Sequence, residues 1–388
     1  MAFGGPPFLA GSDPLPRLLL IGGDGHPSGV PRHIRHLCTA LQDQAQITVI
    51  SDENHGGYDG LDGATHIIVP GLQSRLSARH LMRGWCGLGR VLRAQGAQVI
   101  WLHARLPVLF GRMMLALRLW RPKAARVVVT YHGLPFGPGH KLMAGGVSKM
   151  LEKGLLSACP PLDLVFLSQD QARRMTAAMG ARMGRHRVHV LPNSSDLGPL
   201  PEVAHGPGRH LVMTGRCGWQ KNYPLALRLF AHLPDDYTLT LCGAGTEAAG
   251  FQAEAAEILP PEALARVRFA GPLSDVRPAL AGADGYLLCS RYEGLPIGAI
   301  EAFEAGLPLI LGTFDGADEL AATHPMALCL EFEDLARDAG QITALLEGYT
   351  ARRDAATQEI RTAWAKAWSF DRFRANARAV YDTLAGTD

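Results

Sequence analysis

The stretch GYLLCSRYEGLPIGAIE, residues 285–301, decides the fold. Gly285–Leu288 is a short apolar run, the pattern of a strand covered on both faces. A loop follows, and a helix is predicted to start near Pro296 and run past Glu301. Two acids eight residues apart therefore fall in different settings. Glu293 lies in a strand-to-helix loop, and Glu301 about two turns into the helix, facing the same end of the domain. In open parallel sheets, ligands gather outside the carboxyl ends of the strands. Backbone N–H groups of such a loop and of the helix start can receive a diphosphate. A carboxylate just inside accepts two hydrogen bonds from neighbouring sugar or ribose hydroxyls. Either acid alone would read as an ordinary loop or helix charge.

The same strand–loop–helix pattern repeats on both sides. Upstream, Leu211–Thr214 runs into Gly215-Arg216-Cys-Gly-Trp-Gln-Lys221-Asn222, where Arg and Lys on a strand-terminal loop can clamp a diphosphate. Thr238–Leu241, Val267–Phe269, Leu307–Leu311 and Ala327–Leu330 complete the strands of the second half. In the first half, Arg17–Ile21, Ile47–Ile50, Ile67–Val69, Val99–Leu102, Val127–Tyr131, Leu164–Leu167 and Val188–Leu191 have the same character. The Pro- and Gly-rich segment Pro192–Gly208 separates the halves. Two α/β domains facing a cleft are expected. His132-Gly133 ends one first-half strand, where a histidine can bond a hydroxyl or move a proton. The glycine runs after Ile21 and at Cys242-Gly243-Ala-Gly245 carry Ser28 and Ala248 where a dinucleotide fingerprint needs its third glycine. That counts against a nicotinamide oxidoreductase. Walker A, H-E-x-x-H, G-x-S-x-G and D-x-D patterns are missing.

The 388 residues carry a net charge of +2, which gives no global pull toward nucleic acid. The charge is unevenly spread: residues 1–190 hold a net of +12, and residues 191–388 a net of −10. Between Gly63 and Leu151 there is no Asp or Glu, against 13 Lys and Arg. Such a split suggests an anionic partner for the first half. The segment Leu76–Ala94 places Leu81, Trp85, Leu88 and Leu92 on one stripe and Arg79, Arg83, Arg90 and Arg93 on another. It reads either as an ordinary solvated face or as a contact with anionic head groups. The region Arg75–Arg126 is thus the expected place of contact with an anionic membrane surface. Val108–Trp120, apolar nearly all round, reads as a buried crossover helix. Seven scattered cysteines, with no C-x-x-C, fit a reduced cytoplasmic protein. Leu18–Ile21 is too short for a signal-peptide core, and no apolar run reaches spanning length.

Together these motifs resemble glycosyltransferase family 4. The family's E-(x)7-E matches Glu293 and Glu301, and its G-R-(x)4-K-[GN] matches Gly215, Arg216, Lys221 and Asn222. Its G-x-G turn matches Gly243 and Gly245, its A-D matches Ala283-Asp284, and its E-A-x-x-x-G-x-P runs from Glu301 to Pro308. Ser28-Gly29-Val30 resembles its first glycine loop, His132-Gly133 its H-G, and Pro192–Asp196 its P-N-G-x-D, with Ser194 in place of Gly.

The resemblance implies the GT-B fold: two Rossmann-like doubly wound sheets, an acceptor domain over 1–195 and a donor domain over 196–367. The helix of 368–388 would cross back to the first domain. It implies a retaining transfer from a sugar nucleotide, UDP more than GDP, to a glycan or lipid-linked acceptor, without a metal or other cofactor. Arg216 and Lys221 would bind the diphosphate, Glu293 the sugar hydroxyls and Glu301 the ribose. Gly294, Leu295 and Ile297 would touch sugar and phosphate through their backbone, beside Pro296, which has no N–H to give. Gly243, Gly245 and the Gly271–Leu273 turn would border the nucleotide. His132 and Gly29 would approach from across the cleft.

Overall fold

The computed structural model describes residues 15–386 except 76, 95, 207 and 208. Among them, thirteen strands form two parallel sheets. The first sheet contains β1 (Arg17–Ile21), β2 (Gln46–Ser51), β3 (Ala64–Ile68), β4 (Val99–Leu102), β5 (Arg126–Tyr131), β6 (Asp163–Phe166) and β7 (Arg187–Val190), in the order 3-2-1-4-5-6-7. The second contains β8 (Arg209–Thr214), β9 (Tyr237–Cys242), β10 (Val267–Gly271), β11 (Gly285–Leu288), β12 (Leu309–Gly312) and β13 (Ala327–Leu330), in the order 10-9-8-11-12-13. Strands β1, β4, β6, β11 and β12 are buried almost end to end, because helices cover both faces. The winding reverses between β1 and β4 and again between β8 and β11. These are the switch points where an open sheet leaves a crevice. The Lys221 loop follows β8 and the Glu293 loop follows β11, so the motifs meet at the second switch point.

The chain also ties the two domains together. Ser195 pairs with Ser369 in an isolated bridge, and the Glu304 carboxylate accepts the Leu197 N–H at 2.9 and 3.0 Å. The helix Phe370–Ala385 then packs on the helix Gly29–Leu41 of the first domain. Its Phe373, Ala377 and Tyr381 share a core with Ile34 and Leu37, and Arg378 reaches Asp43 at 2.7 Å.

The helix read over Leu76–Ala94 spans Ala78–Ala94, and Leu76 lies outside the described residues. Leu88 and Leu92 are buried, and Leu81 and Trp85 pack against the same core, while the arginine stripe faces solvent. The apolar side of this helix is thus used by the protein itself. The helix expected over Val108–Trp120 spans Arg105–Ala116 and is not uniformly apolar inside. Arg112 is buried there against Glu152 and Tyr131, and Leu117 and Leu119 beyond the helix end are exposed.

Candidate active site

Three neighbouring strand ends of the second sheet are stitched together. The Gly215 N–H donates to Cys242 O at 2.8 Å, and the Gly243 N–H to Gly271 O at 2.7 Å. Gly243 has φ +144°, and a Cβ there would lie 1.9 Å from Gly215 O. Only glycine lets these strand ends approach so closely. Tyr223, at the start of the helix Tyr223–Phe230, donates its hydroxyl to Gly215 O and fixes the loop from below. Gly245 follows in the same turn, where its N–H donates to the Glu247 carboxylate at 2.9 Å. Gly271 lies beside them, and Leu273 is exposed at the rim.

Glu293 is buried and fully engaged. Lys221 Nζ and Ser290 Oγ both donate to its Oε1 at 2.7 Å, and Gln220 Nε2 donates to Oε2 at 3.0 Å. The sequence pattern placed Lys221 and Glu293 in one site, and the structure makes them direct partners. Ser290 and Gln220 went unremarked in the sequence, although each flanks a motif residue. Arg216 points outward, two-thirds exposed, with its guanidinium 3.8 Å from Asp24 of the first domain.

The helix Ile297–Ala305 places Glu301 at its fifth residue, a little over one turn in rather than two. Glu301 is buried and paired with Arg32, which comes from the helix Gly29–Leu41 across the cleft. Burial raises the Glu301 pKa, and Arg32 pulls it back. Both helices start toward the cleft, and neither start has a side-chain cap or an acid in its first turn. Their free N–H groups and dipoles make the crevice between them receptive to an anion. Arg32 had one sequence signal: a cation in the first turn opposes the helix dipole unless something else holds it.

Across the cleft the chains are in close contact. A Cβ at Gly294 would lie 2.2 Å from His132 O, so this position must stay glycine for the domains to meet as they do. Leu295 O accepts from Asn193 Nδ2 at 2.7 Å, and Asn193 Oδ1 bonds His33 Nδ1 at 2.8 Å. Pro296 precedes the first residue of the helix, and Gly29 lies opposite Ile297. His132 Nε2 is 3.2 Å from His103 Nδ1, and both rings pack near His33. Burial, then the neighbouring imidazoles, push His103 and His132 well below the usual histidine range, and burial takes His33 to about 4. These rings are neutral at pH 7, so His132 can donate or accept a hydrogen bond but supplies no positive charge.

The Arg32–Glu301 pair leads to a stability prediction. A carboxyl whose folded pKa is raised makes stability fall as pH climbs from its unfolded value through its folded one. Removing Arg32 raises that folded pKa further and extends the fall. Arg32→Ala is expected to cost about 1–2 kcal/mol at pH 7.5, discounted because Arg32 is partly exposed, and clearly less at pH 5. Urea denaturation at both pH values checks this. An equal loss at the two would show that Glu301 does not depend on Arg32.

Comparison with known proteins fits this geometry. Residues 27–198 match the family described as Glycosyltransferase Family 4, and residues 203–362 match Glycosyl transferases group 1. The chain is 30% identical over 146 residues to the putative glycosyltransferase EpsF of Bacillus subtilis, a match spanning 34% of this chain and 37% of EpsF. It is 24% identical over 312 residues to the UDP-Gal:alpha-D-GlcNAc-diphosphoundecaprenol alpha-1,3-galactosyltransferase of Escherichia coli, covering 76% and 78% of the two chains. Its fold matches that of Anabaena HepE in complex with UDP-glucose, with a TM-score of 0.74 at 14% identity over 95% of this chain and 99% of HepE. The two-sheet architecture is the GT-B fold.

Proposed function

We propose, from the premise that this chain belongs to the family-4-type glycosyltransferases, that it transfers a hexose-type sugar with retention from a UDP-sugar to a hydroxyl of a glycan or lipid-linked acceptor. GDP is the second-ranked nucleotide. Bacterial polysaccharide or glycolipid assembly, on the cytoplasmic side of a membrane, is the setting this reading gives it. The observation that carries the proposal is the buried Lys221–Glu293 pair beside two uncapped helix starts. The E. coli relative's name includes a UDP-Gal donor and a diphosphoundecaprenol-linked acceptor, and the HepE structure holds UDP-glucose. Both support the choice of donor.

The roles follow from chemistry. The donor diphosphate enters the crevice and draws Lys221 and Arg216 onto its oxygens, as fixed positive groups are most effective where charge develops. Glu293, relieved of Lys221 in part, accepts sugar hydroxyls. The backbone of Gly294, Leu295 and Ile297 lines the sugar and phosphates. Glu301 turns from Arg32 to the ribose. Gly243, Gly245 and Leu273 border the nucleotide, and His132 and Gly29 close from the other side. In the transfer, the bond from the anomeric carbon to the diphosphate oxygen breaks, and a bond to the acceptor oxygen forms on the same face. The acceptor proton passes to the departing phosphate oxygen, so no protein base is required. Neither a metal nor another cofactor is part of this scheme.

A thermal-shift panel of UDP, GDP, ADP and their hexose conjugates tests the reading. A ligand at 100 times its Kd adds about 2.7 kcal/mol, enough to raise Tm by several degrees. A UDP-hexose is expected to give the largest shift. No shift with any sugar nucleotide would sink the proposal.

A further inference from the structure

The helix Leu142–Ala158 carries an apolar line on the side where a soluble surface carries charge. Met143, Val147, Met150 and Leu151 recur at i, i+4, i+7 and i+8 and are 87, 67, 75 and 45% exposed. Gly154 and Ala158 continue the same outward stripe and are also exposed. The helix's single acid, Glu152, points the other way and is buried against Arg112 and Tyr131. A solvated helix normally turns its apolar stripe to the core and its charges to water. Here Leu155 and Leu156 are buried, yet a second apolar line, Met143, Val147, Met150 and Leu151, faces out.

The surroundings are cationic. Lys149 and Lys153 lie on the same helix, Lys141 at its start, and Arg182 and Arg185 beside it, bonded to Ser157. Among the described residues none of these five pairs with a carboxylate. From Gly63 to Gln169 the sequence has only two acids, Glu152 and Asp163, and both are buried. Every acid in this stretch is therefore hidden, and apart from Arg112, which is buried with Glu152, the helix is flanked by cations that reach solvent. An apolar stripe flanked by unpaired lysines and arginines is the surface chemistry of a helix that lies in an anionic bilayer interface. The helix Ala78–Ala94 can add cations to such a contact, but its apolar side is taken up by the core.

We infer that the helix Leu142–Ala158 is the docking face of this protein for an anionic phospholipid membrane. This deepens the proposed function, since it rests on an acceptor carried by a lipid. The helix begins at the cleft mouth. Lys141 lies over the Trp219 ring at 5.5 Å, and the Trp219 indole donates to Gly139 O at 3.1 Å. Trp219 is two residues from Lys221, so a head group emerging beside the docked helix reaches the cleft directly.

Flotation with vesicles tests this on the full chain. Vesicles containing phosphatidylglycerol are expected to carry the protein up at low salt, and pure phosphatidylcholine vesicles are not. The triple variant Met143→Ser/Val147→Ser/Met150→Ser should lose about tenfold or more in bound fraction through lost apolar burial. Its UDP-glucose thermal shift should stay unchanged, which shows that it is folded and separates this test from that of donor use. Lys149→Gln/Lys153→Gln should weaken binding and flatten its salt dependence. Arg79→Gln/Arg83→Gln on the other helix should weaken it much less than the triple serine variant. The inference falls if the parent protein does not float, if the triple variant floats as well as the parent, or if the arginine variant alone abolishes binding. It falls too if sedimentation shows a dimer that the serine substitutions dissolve, because a second copy would then be what covers this face.

Discussion

Replacing Lys221 by alanine is expected to lower kcat for sugar transfer by about 10²–10³-fold, the usual cost of removing one group aimed at developing charge. The structure makes this substitution informative because Lys221 has two tasks. In the structure it holds Glu293 at 2.7 Å, and in the proposed reaction it moves to the leaving diphosphate. Glu293→Ala should fall by a similar factor, through loss of the hydroxyl contacts and through release of Lys221 from its place. The two losses should not add. Each single variant already breaks the shared pair, so Lys221→Ala/Glu293→Ala should be far more active than the product of the single effects implies. Glu293→Gln keeps the shape and one acceptor oxygen for Ser290 or Lys221, and should fall between the parent and the alanine form. Donor hydrolysis and transfer rates, measured on the parent and all four variants, check this. Undiminished activity in both alanine variants would remove the site from these residues. Strict additivity would show that the pair does not act together.

The strand pattern was legible because parallel strands covered on both faces leave continuous apolar runs, and Gly285–Leu288 is one. Glu293, Lys221 and Arg216 could be gathered because they follow strands that neighbour each other at a switch point. Residues reaching across the cleft could not be gathered in the same way. Arg32 lies 269 positions from Glu301, and nothing local ties them except an arginine placed against a helix dipole. The His33, His103 and His132 group comes from one helix and two strand ends, so the sequence showed isolated histidines where the fold makes a neutral cluster. Periodicity marked Leu76–Ala94 as amphipathic, but periodicity alone does not say which side faces out. Leu81, Trp85, Leu88 and Leu92 form a regular stripe that the core uses. Met143, Val147, Met150 and Leu151 form another that it does not. Both stripes begin i, i+4, i+7, and only packing separates them.

Behind the second stripe lies a buried ion pair, Arg112 with Glu152, and it gives the other large effect. Arg112→Met is expected to destabilise the protein by about 3–5 kcal/mol, the range for breaking a buried pair and leaving one charge behind. Arg112 and Glu152 are each 3% exposed. Arg112 donates to Glu152 through both terminal nitrogens and to the Tyr131 hydroxyl at 2.9 Å, and that hydroxyl donates to Glu152 in turn. Without the guanidinium, a carboxylate and a phenol remain in an apolar layer with no cation. A pair of this kind adds little net stability over a well-packed apolar substitute, so the cost should be recoverable. The triple variant Arg112→Met/Glu152→Leu/Tyr131→Phe, which empties the layer of polar groups, should return to within about 1–2 kcal/mol of the parent. Urea denaturation of the parent, the single and the triple variants separates the possibilities. A single variant within about 1 kcal/mol of the parent would mean that water reaches Glu152. A triple variant as weak as the single would mean that the loss comes from packing volume and not from stranded charge. If the expected order holds, Glu152, the acid of Leu142–Ala158, is held inward by Arg112, on the side of the helix away from Met143, Val147 and Met150.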